Sequence, residues 1–360
     1  MKPILFLISS LLLLLSSMAT YADERLPYPP SALMDGFSIE PERVSIGDGD
    51  NWAITWGDDD KQYSFFTDGM GFGAHKKDVS ISPVVIEGDP PKISGVDIES
   101  VSGTVGYNKG GPSSAKVCGL VMIKGVLYAW VRNVNPPGMP KGTGSQLMVS
   151  EDYAKTWKSV DWIWPDIGYP TWLNAGKNYG DAQDGFAYFI STDGPSAYYD
   201  YDSMIMARVP VDEILIKEKY AFFAGKDENG NAKWGTFKDR KPFFENAEGS
   251  FRPGIVYNVG LKKYFLSTAI PKEKWRWWWG KENPGRRQHL GIFESDNPWG
   301  PWKTVFYERD WRAPENVFAP QIPAKWISED GRSFYLQYSC IPKGPYKFNI
   351  QKCTIRSSIK

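Results

Sequence analysis

A strand–turn–strand pattern recurs five times along this chain of 360 residues. In each copy, the second strand-forming run carries a tyrosine, and these tyrosines are 65, 60, 76 and 71 residues apart. They are Tyr63, Tyr128, Tyr188, Tyr264 and Tyr335. One hairpin cannot bury its own apolar face, and antiparallel repeats of this length close most naturally into a ring of blades. The repeat therefore predicts an all-β fold, a five-bladed β-propeller, in which the recurring hairpins surround one central funnel.

The N-terminus has the pattern of a secretory signal peptide over residues 1–22. Lys2 precedes an apolar stretch from Ile4 to Leu15, and small residues follow up to Ala22. No later segment approaches the roughly 20 apolar residues of a spanning helix. We predict Sec-dependent export to the periplasm or the extracellular space. No compositional break divides residues 36–360, which are predicted to form a single propeller domain after an N-terminal extension over residues 23–35.

Composition restricts the partners of the chain. The 42 basic and 42 acidic residues balance, which argues against nucleic acid and anionic membranes. The 16 tryptophans indicate a poly- or oligosaccharide partner, because aromatic faces stack on sugar rings, although aromatic residues also pack between blades. The dense cluster Trp275–Trp279 is the candidate sugar platform. We expect a monomer.

Cysteine and histidine usage limits the possible chemistry. Cys340 and Cys353 lie on consecutive strand-like runs and could form a disulfide, whereas Cys118 is predicted to be a buried thiol. With His75 and His289 as the only histidines, a Ser-His-Asp triad or a multi-histidine metal site is excluded. We predict neither cofactor nor metal.

Several conspicuous acids are predicted to be structural. Asp59, Asp184 and Asp330 fall in hairpin turns, where aspartate is favoured. The segment SEDYAKTW, residues 150–157, matches the Asp-box pattern with Ala154 where glycine is usual. Asp-box side chains close a turn by bonding to the local backbone, so Asp152 is assigned to the fold.

The funnel is predicted to be lined by residues just before each first strand and just after each second strand. A hairpin centred on Asp59 pairs Trp56 with Gln62, and this register places Asp50 opposite Asp68. Crowding of the two carboxylates would raise the pKa of one, as a general acid or base requires. A solvated pair, or one neutralised by neighbouring cations, is an equally open alternative.

Equivalent offsets in the other blades predict further lining residues. They are Lys116, Arg132, Asn133, Asn174, Lys177 and Arg252. Glu248 and Glu315, in loops that lead into first strands, are candidates for the second carboxyl group that glycoside cleavage needs. Trp52 is included among the candidate substrate-binding residues.

The order and spacing of several segments resemble the domain of unknown function 4185 family. The segments are GDGDNWAITWGDDDKQYSFFTDGMGF, YAWVRN, GKNYGDAQDGFAYF, SFRPGIVYNVGLKKYFL, NPWGPW and PAKWISEDGRS. The resemblance implies a five-bladed propeller related to glycoside hydrolases, including endo-acting D-arabinanases. By this resemblance, the acidic site residues of the family correspond to Asp50, Asp68 and Glu315. Its polar residues correspond to Arg132, Asn133, Lys177, Asn178, Tyr179 and Arg252. The loop around Glu315 departs from the family pattern, and AQD replaces the usual A-R-D.

The leading hypothesis is an exported glycoside hydrolase with Asp50 as base or nucleophile, Glu315 as proton donor and Asp68 tuning the pKa. Lys177, Arg132 and Arg252 would hold the substrate. A non-catalytic carbohydrate-binding propeller is the main alternative. A sialidase using Arg132, Arg252 and Arg312, or a lyase with Tyr179 or a lysine as base, remain minor ones.

Overall fold

The computed structural model describes residues 26–99, 111–199, 201–271, 288–311, 317–340 and 346–356. Most of the regular structure in these residues is β-strand. The strands are β1 (Phe37–Ile46), β2 (Asp48–Trp56), β3 (Gln62–Gly71), β4 (Ser82–Asp89), β5 (Lys92–Asp97), β6 (Lys116–Ile123), β7 (Val126–Arg132), β8 (Ser145–Ser150), β9 (Lys158–Ser159), β10 (Thr171–Asn174), β11 (Phe186–Thr192), β12 (Tyr201–Pro210), β13 (Ala221–Lys226), β14 (Ala232–Gly235), β15 (Phe244–Asn258), β16 (Lys263–Pro271), β17 (Gln288–Ser295), β18 (Lys303–Trp311), β19 (Phe318–Gln321), β20 (Ser333–Cys340) and β21 (Lys347–Ile355).

Short 3-10 helices interrupt the strands within the described residues. They are Met34–Gly36, Gly111–Ser113, Lys177–Tyr179, Lys217–Lys219, Phe237–Asp239 and Ala324–Trp326. In this part of the chain, no helix has the length and the apolar character that crossing a membrane would require.

The strands pair in chain order into five blades, which confirms the predicted all-β propeller. Blade 1 contains β2–β5, blade 2 contains β6–β9, blade 3 contains β10–β14 and blade 4 contains β15–β18. Blades 3 and 4 are joined by a parallel pairing between β10 and β15. Blade 5 contains β19, β20 and β21, and its outermost strand is β1, which pairs antiparallel with β21. The N-terminal strand thus completes the last blade and closes the ring.

The first strand of each blade is the innermost one. Around the ring β2 contacts β6, β6 contacts β10, β10 contacts β15, β15 contacts β19 and β19 contacts β2. The recurring hairpins are therefore the two inner strands of each blade. We call the end of the ring where these first strands begin the funnel end. The opposite end, where the first hairpin of each blade turns, is the turn end.

Large aromatic side chains fill the spaces between blades. Between blades 2 and 3, the ring centroids of Trp130 and Trp172 are 5.6 Å apart. Between blades 1 and 5, the ring of Trp52 meets that of Phe348 at 5.5 Å. Fully burying an aromatic side chain stabilises a fold by about 1.5–3 kcal/mol, so this packing is a major part of ring stability. The cluster Trp275–Trp279 lies outside the described residues.

The turn between β8 and β9 is closed by its own side chains. The carboxylate of Asp152 accepts hydrogen bonds from the backbone N–H of Thr156 (2.8 Å), from Thr156 Oγ1 (2.7 Å) and from Ser150 Oγ (2.9 Å). The ring of Trp157 then packs on Phe65, with centroids 5.0 Å apart. Asp152 is therefore a structural residue of blade 2.

The disulfide considered between Cys340 and Cys353 is wrong. Cys340 lies opposite Lys347, whereas Cys353 lies opposite Phe334 near the other end of the same pair of strands. Both thiols, and that of Cys118, are buried, and none of the three forms a disulfide. The sequence could not show this, because two cysteines on neighbouring strands bridge only when the strand register sets them close together.

Candidate functional site

Asp50 lies at the funnel end of β2, and only 6% of the residue is exposed. The predicted pairing of Trp56 with Gln62 is confirmed, but Asp50 lies opposite Thr67 and not opposite Asp68. Between these pairs, Asn51 and Trp52 stand opposite Phe66 alone, which is a β-bulge. Asn51 has a φ of 47°. The inserted residue shifts the register by one, so the predicted opposition of the two acids is wrong.

The same bulge recurs in two other inner strands. In β15 it holds Arg252 with a φ of 49°, and in β19 it holds Ala319 with a φ of 51°. In each case two residues of the first strand oppose one residue of the second. Bulges bend a strand and change the direction of its side chains. Asp50, Phe251 and Phe318 therefore occupy equivalent positions in blades 1, 4 and 5.

Hydrogen bonds hold one oxygen of the Asp50 carboxylate. Asn51 Nδ2 donates to Asp50 Oδ1 at 2.8 Å, and Thr67 Oγ1 donates to the same atom. Asp50 Oδ2 has no hydrogen-bond donor among the residues that the structure describes. Burial, and next the charge of Asp68, raise the pKa of Asp50 to about 6, although the positive charges of Arg252 and Lys116 oppose this rise.

Asp68 and Lys116 form an ion pair between blades 1 and 2. Lys116 Nζ donates to Asp68 Oδ1, and the lysine side chain is fully buried while 22% of the aspartate side chain is exposed. Removing one partner of such a pair leaves an uncompensated charge, which typically costs 3–5 kcal/mol. Asp68 therefore acts on Asp50 through its charge while its own carboxylate is engaged by Lys116.

Two buried arginines lie close to each other at the funnel end. Arg252 Nη1 donates to Asn51 Oδ1 at 3.0 Å, which connects Arg252 to Asp50 through Asn51. The guanidinium carbons of Arg132 and Arg252 both lie within 6.0 Å of the ring centroids of Tyr169 and Tyr198. Burial, and next the charge of Arg132, lower the pKa of Arg252. The two like charges are close enough to repel each other.

Tyr198 belongs to this site, although no sequence pattern indicates it. It lies between β11 and β12, in a connection with no counterpart in the repeat. Its hydroxyl oxygen accepts hydrogen bonds from Arg132 Nη1 (3.1 Å) and Asn133 Nδ2 (2.9 Å). Tyr198 also packs in a buried cluster with Phe251 and Phe318. The funnel end therefore combines charged groups with an aromatic wall.

Lys177, Asn178 and Tyr179 do not share the funnel with Asp50. Lys177 Nζ lies 3.5 Å from an oxygen of Asp60, in the first turn of blade 1. Asn178 Oδ1 accepts a hydrogen bond from the backbone N–H of Gly125, in the first turn of blade 2. All three residues are at the turn end, so their assignment as funnel clamps is wrong. Because β10 runs from the funnel end to the turn end, residues that follow it lie beyond its turn-end terminus.

The direction of β10 also corrects the predictions for Asn174 as a funnel-lining residue and Tyr179 as a lyase base. Asn174 ends β10 at the turn end, where its Nδ2 donates to the backbone oxygen of Leu120 and its Oδ1 accepts from Thr55 Oγ1. Tyr179 is buried and its hydroxyl donates to the backbone oxygen of Phe186, so it cannot be a lyase base beside Asp50. Arg312, which the sialidase alternative needs, lies outside the described residues.

Trp52 is a packing residue and not an exposed sugar contact. Its side chain is fully buried, its ring meets Phe66 and Phe72, and its Nε1 donates to the backbone oxygen of Gly49. The bulge at Asn51 and Trp52 changes the direction in which these side chains leave β2. The assignment of Trp52 to substrate binding is therefore wrong.

Glu248 is held as a charged carboxylate. It accepts hydrogen bonds from the Tyr307 hydroxyl and from Arg309 Nη2, the latter at 2.8 Å. Burial acts to raise the pKa of Glu248, but these two donors outweigh it and the pKa lies below its usual value. Such a group is a poor proton donor near neutral pH. Glu315 lies outside the described residues, between β18 and β19.

Across the described ranges, no three histidine, cysteine, aspartate or glutamate side chains come together as a metal site. The site of the described residues thus consists of Asp50, Asn51, Asp68, Lys116, Arg132, Asn133, Tyr198 and Arg252. These site residues come from blades 1, 2 and 4 and from the β11–β12 connection of blade 3.

Comparison with known proteins identifies solved structures with a similar fold. A "putative hydrolase" from Bacteroides ovatus ATCC 8483 has a TM-score of 0.51 at 13% identity, over 91% of this chain and 97% of that one. A xylan beta-1,4-xylosidase from Bacillus halodurans C-125 has a TM-score of 0.51 at 14% identity, over 87% of this chain and 54% of that one. At these identities, the likeness establishes the fold alone. No family model and no curated protein matches the chain, so the resemblance to the domain of unknown function 4185 family stays a prediction.

Proposed function

We propose that this protein is an exported glycoside hydrolase that cleaves a poly- or oligosaccharide at the funnel end, with Asp50 as base or nucleophile. The observation that carries the proposal is the Asp50 carboxylate, which is buried and has one oxygen without a donor among the described residues. Its pKa of about 6 leaves it deprotonated at neutral pH, as a base or nucleophile requires. The fold that the chain shares with a xylosidase and the signal-peptide pattern of residues 1–22 support the proposal.

Other residues of the site have supporting roles in this proposal. Asp68 raises the pKa of Asp50 by its charge, and Asn51 fixes the position of Asp50 and Arg252. Arg132 and Arg252 bind the substrate. Glu315 remains the proposed proton donor, because glycoside cleavage needs a second carboxyl group across the scissile bond.

The direct test is a screen of the purified protein against a panel of polysaccharides, with detection of new reducing ends. On a cleaved polymer, Asp50→Asn should lower kcat at least about 100-fold while leaving binding of the polymer largely intact. The exposed Asp212→Asn is the matched control and should keep full activity. Tight retention on one polymer without cleavage of any would contradict the proposal and favour a carbohydrate-binding propeller.

The pH dependence tests the role of Asp50 separately. If Asp50 must be deprotonated to act, kcat/KM is low in acid and rises with pH through an inflection near pH 6. A rate profile that falls as the pH rises through this region would make Asp50 a general acid and would contradict its assignment as base or nucleophile.

A further inference from the structure

One edge of the Arg132 guanidinium group has no acceptor in the part of the chain that the structure describes. The residue is 1% exposed, and its Nη1 donates to Asn133 Oδ1 and to the Tyr198 hydroxyl, both at 3.1 Å. Neither its buried Nε nor its Nη2 has a hydrogen-bond acceptor among the residues that the structure describes. Buried N–H donors are rarely left without an acceptor in folded proteins. An acceptor for this edge is therefore missing among the described residues.

The charges around Arg132 point to the kind of acceptor. Asp68 is engaged by Lys116, and the bonded oxygen of Asp50 is engaged by Asn51 and Thr67. No described carboxylate forms an ion pair with Arg132. Its charge instead acts on Arg252, which is buried beside it. A buried positive charge without a counter-ion is unfavourable, so the site favours an anionic ligand.

We propose that the Nε–Nη2 edge of Arg132 binds the carboxylate of a uronate residue, so that the substrate is a uronate-containing glycan. This edge carries two parallel N–H donors, which match the two oxygens of a carboxylate in a bidentate pair. The ring of Tyr198 lies 5.2 Å from the guanidinium carbon and fixes the side chain in place. The inference rests on the proposed function, because it names the substrate of the same site.

The first test uses the unaltered protein. Pectic, alginate and glucuronan oligomers are each compared with their carboxyl-reduced form, which keeps the backbone and replaces the carboxylate by a neutral group. Loss of one partner of a buried charge pair corresponds to at least about a 30-fold effect, so kcat/KM should fall at least about 30-fold on carboxyl reduction. Equal cleavage of both forms, or cleavage of neutral or sulfated glycans only, overturns the inference and leaves the hydrolase proposal intact.

Two outcomes separate the inference from the proposed function. Release of an unsaturated uronate product would support carboxylate binding and overturn hydrolysis. Binding of uronate oligomers, measured by calorimetry, without cleavage of any of them would also support carboxylate binding, but it would overturn the proposal that the protein is an enzyme. Failure to bind or cleave any uronate oligomer overturns the inference.

The second test uses variants of Arg132. Arg132→Lys keeps the charge but loses the two-donor edge, and the exposed Arg356→Lys is the matched control. We expect Arg132→Lys to lower kcat/KM on the uronate form and to bring the ratio between the uronate and carboxyl-reduced forms towards one. A folding defect would lower both rates equally and leave the ratio unchanged. An unchanged ratio in a variant with wild-type thermal unfolding therefore overturns the inference.

Discussion

At the scale of single residues, the burial that prepares Asp50 for chemistry also reduces the stability of the protein. The pKa of Asp50 rises from 3.8 to about 6 in the folded chain. Between these values the folded state binds more protons than the unfolded state, so stability falls as the pH rises. The stability that the folded state gains from protonating Asp50 is complete below pH 3.8 and is lost as the pH rises above 6. The shift corresponds to a loss on the order of 3 kcal/mol at neutral pH.

We predict that Asp50→Asn stabilises the protein at neutral pH while abolishing turnover. Asparagine keeps an oxygen that can accept from Asn51 and Thr67 but carries no charge to bury. The free energy of unfolding should rise by up to about 3 kcal/mol at neutral pH, and this gain should vanish near pH 4. Urea unfolding over a pH series measures the effect, with the exposed Asp212→Asn as the control. A variant less stable than wild type at neutral pH would show that the site compensates the charge fully.

Single residues were predictable where the repeat determined their position. Arg132, Asn133 and Arg252 lie at the funnel end, where the repeat predicts them, because Arg132 ends β7, Asn133 follows it and Arg252 lies at the bulge in β15. Tyr198 was missed because its connection has no counterpart in the other blades. The prediction for Lys177 is wrong because the spacing of residues in the sequence does not show which end of β10 faces the funnel. Lys177 follows β10 and lies at the turn end.

At the scale of elements, the inner hairpins were predictable and their bulges were not. The alternation of apolar residues and the polar turn fixed the pairing of Trp56 with Gln62. The bulged positions of blades 1, 4 and 5 hold asparagine, arginine and alanine, which share no left-handed preference that a sequence pattern could report. Their conformation is imposed by the packing of the ring, so the register beyond each bulge required the structure.

One hairpin turn offers a test of turn chemistry at this scale. Lys124 and Gly125 connect β6 to β7 with φ values of 52° and 78°, a conformation that favours asparagine followed by glycine. We predict that Lys124→Asn raises the free energy of unfolding by about 0.5–1 kcal/mol, because asparagine tolerates a positive φ better than lysine. The ion pair of Lys124 with Asp212 is exposed and contributes little.

Denaturant unfolding measures this effect, and Lys124→Ala is the control. Alanine also removes the ion pair but keeps a side chain that is strained at a positive φ, so it should not stabilise the protein. Equal stability of the two variants would show that the turn conformation does not limit stability.

At the scale of the whole molecule, the site depends on closure of the ring. Asn51 of blade 1 contacts Arg252 of blade 4 through its side chain and Ser339 of blade 5 through its backbone N–H. Opening the ring between blades 5 and 1 would separate these groups. The repeat predicted a closed ring, but it did not predict that β1 would complete blade 5, because β1 carries no copy of the hairpin.

A disulfide between β1 and β21 tests whether this closure limits stability. Ser38 lies directly opposite Thr354, and their hydroxyl oxygens are 2.9 Å apart, so two cysteines would be well placed to bridge. Thr354 follows Cys353, whose side chain points to the other face of the sheet and does not compete. We predict that the double variant Ser38→Cys, Thr354→Cys gains about 2–4 kcal/mol in free energy of unfolding when oxidised, because the bridge closes almost the whole chain. The gain should disappear on reduction and be absent in Ser38→Cys alone. A bridge that forms without changing the denaturation midpoint would mean that unfolding begins elsewhere in the ring.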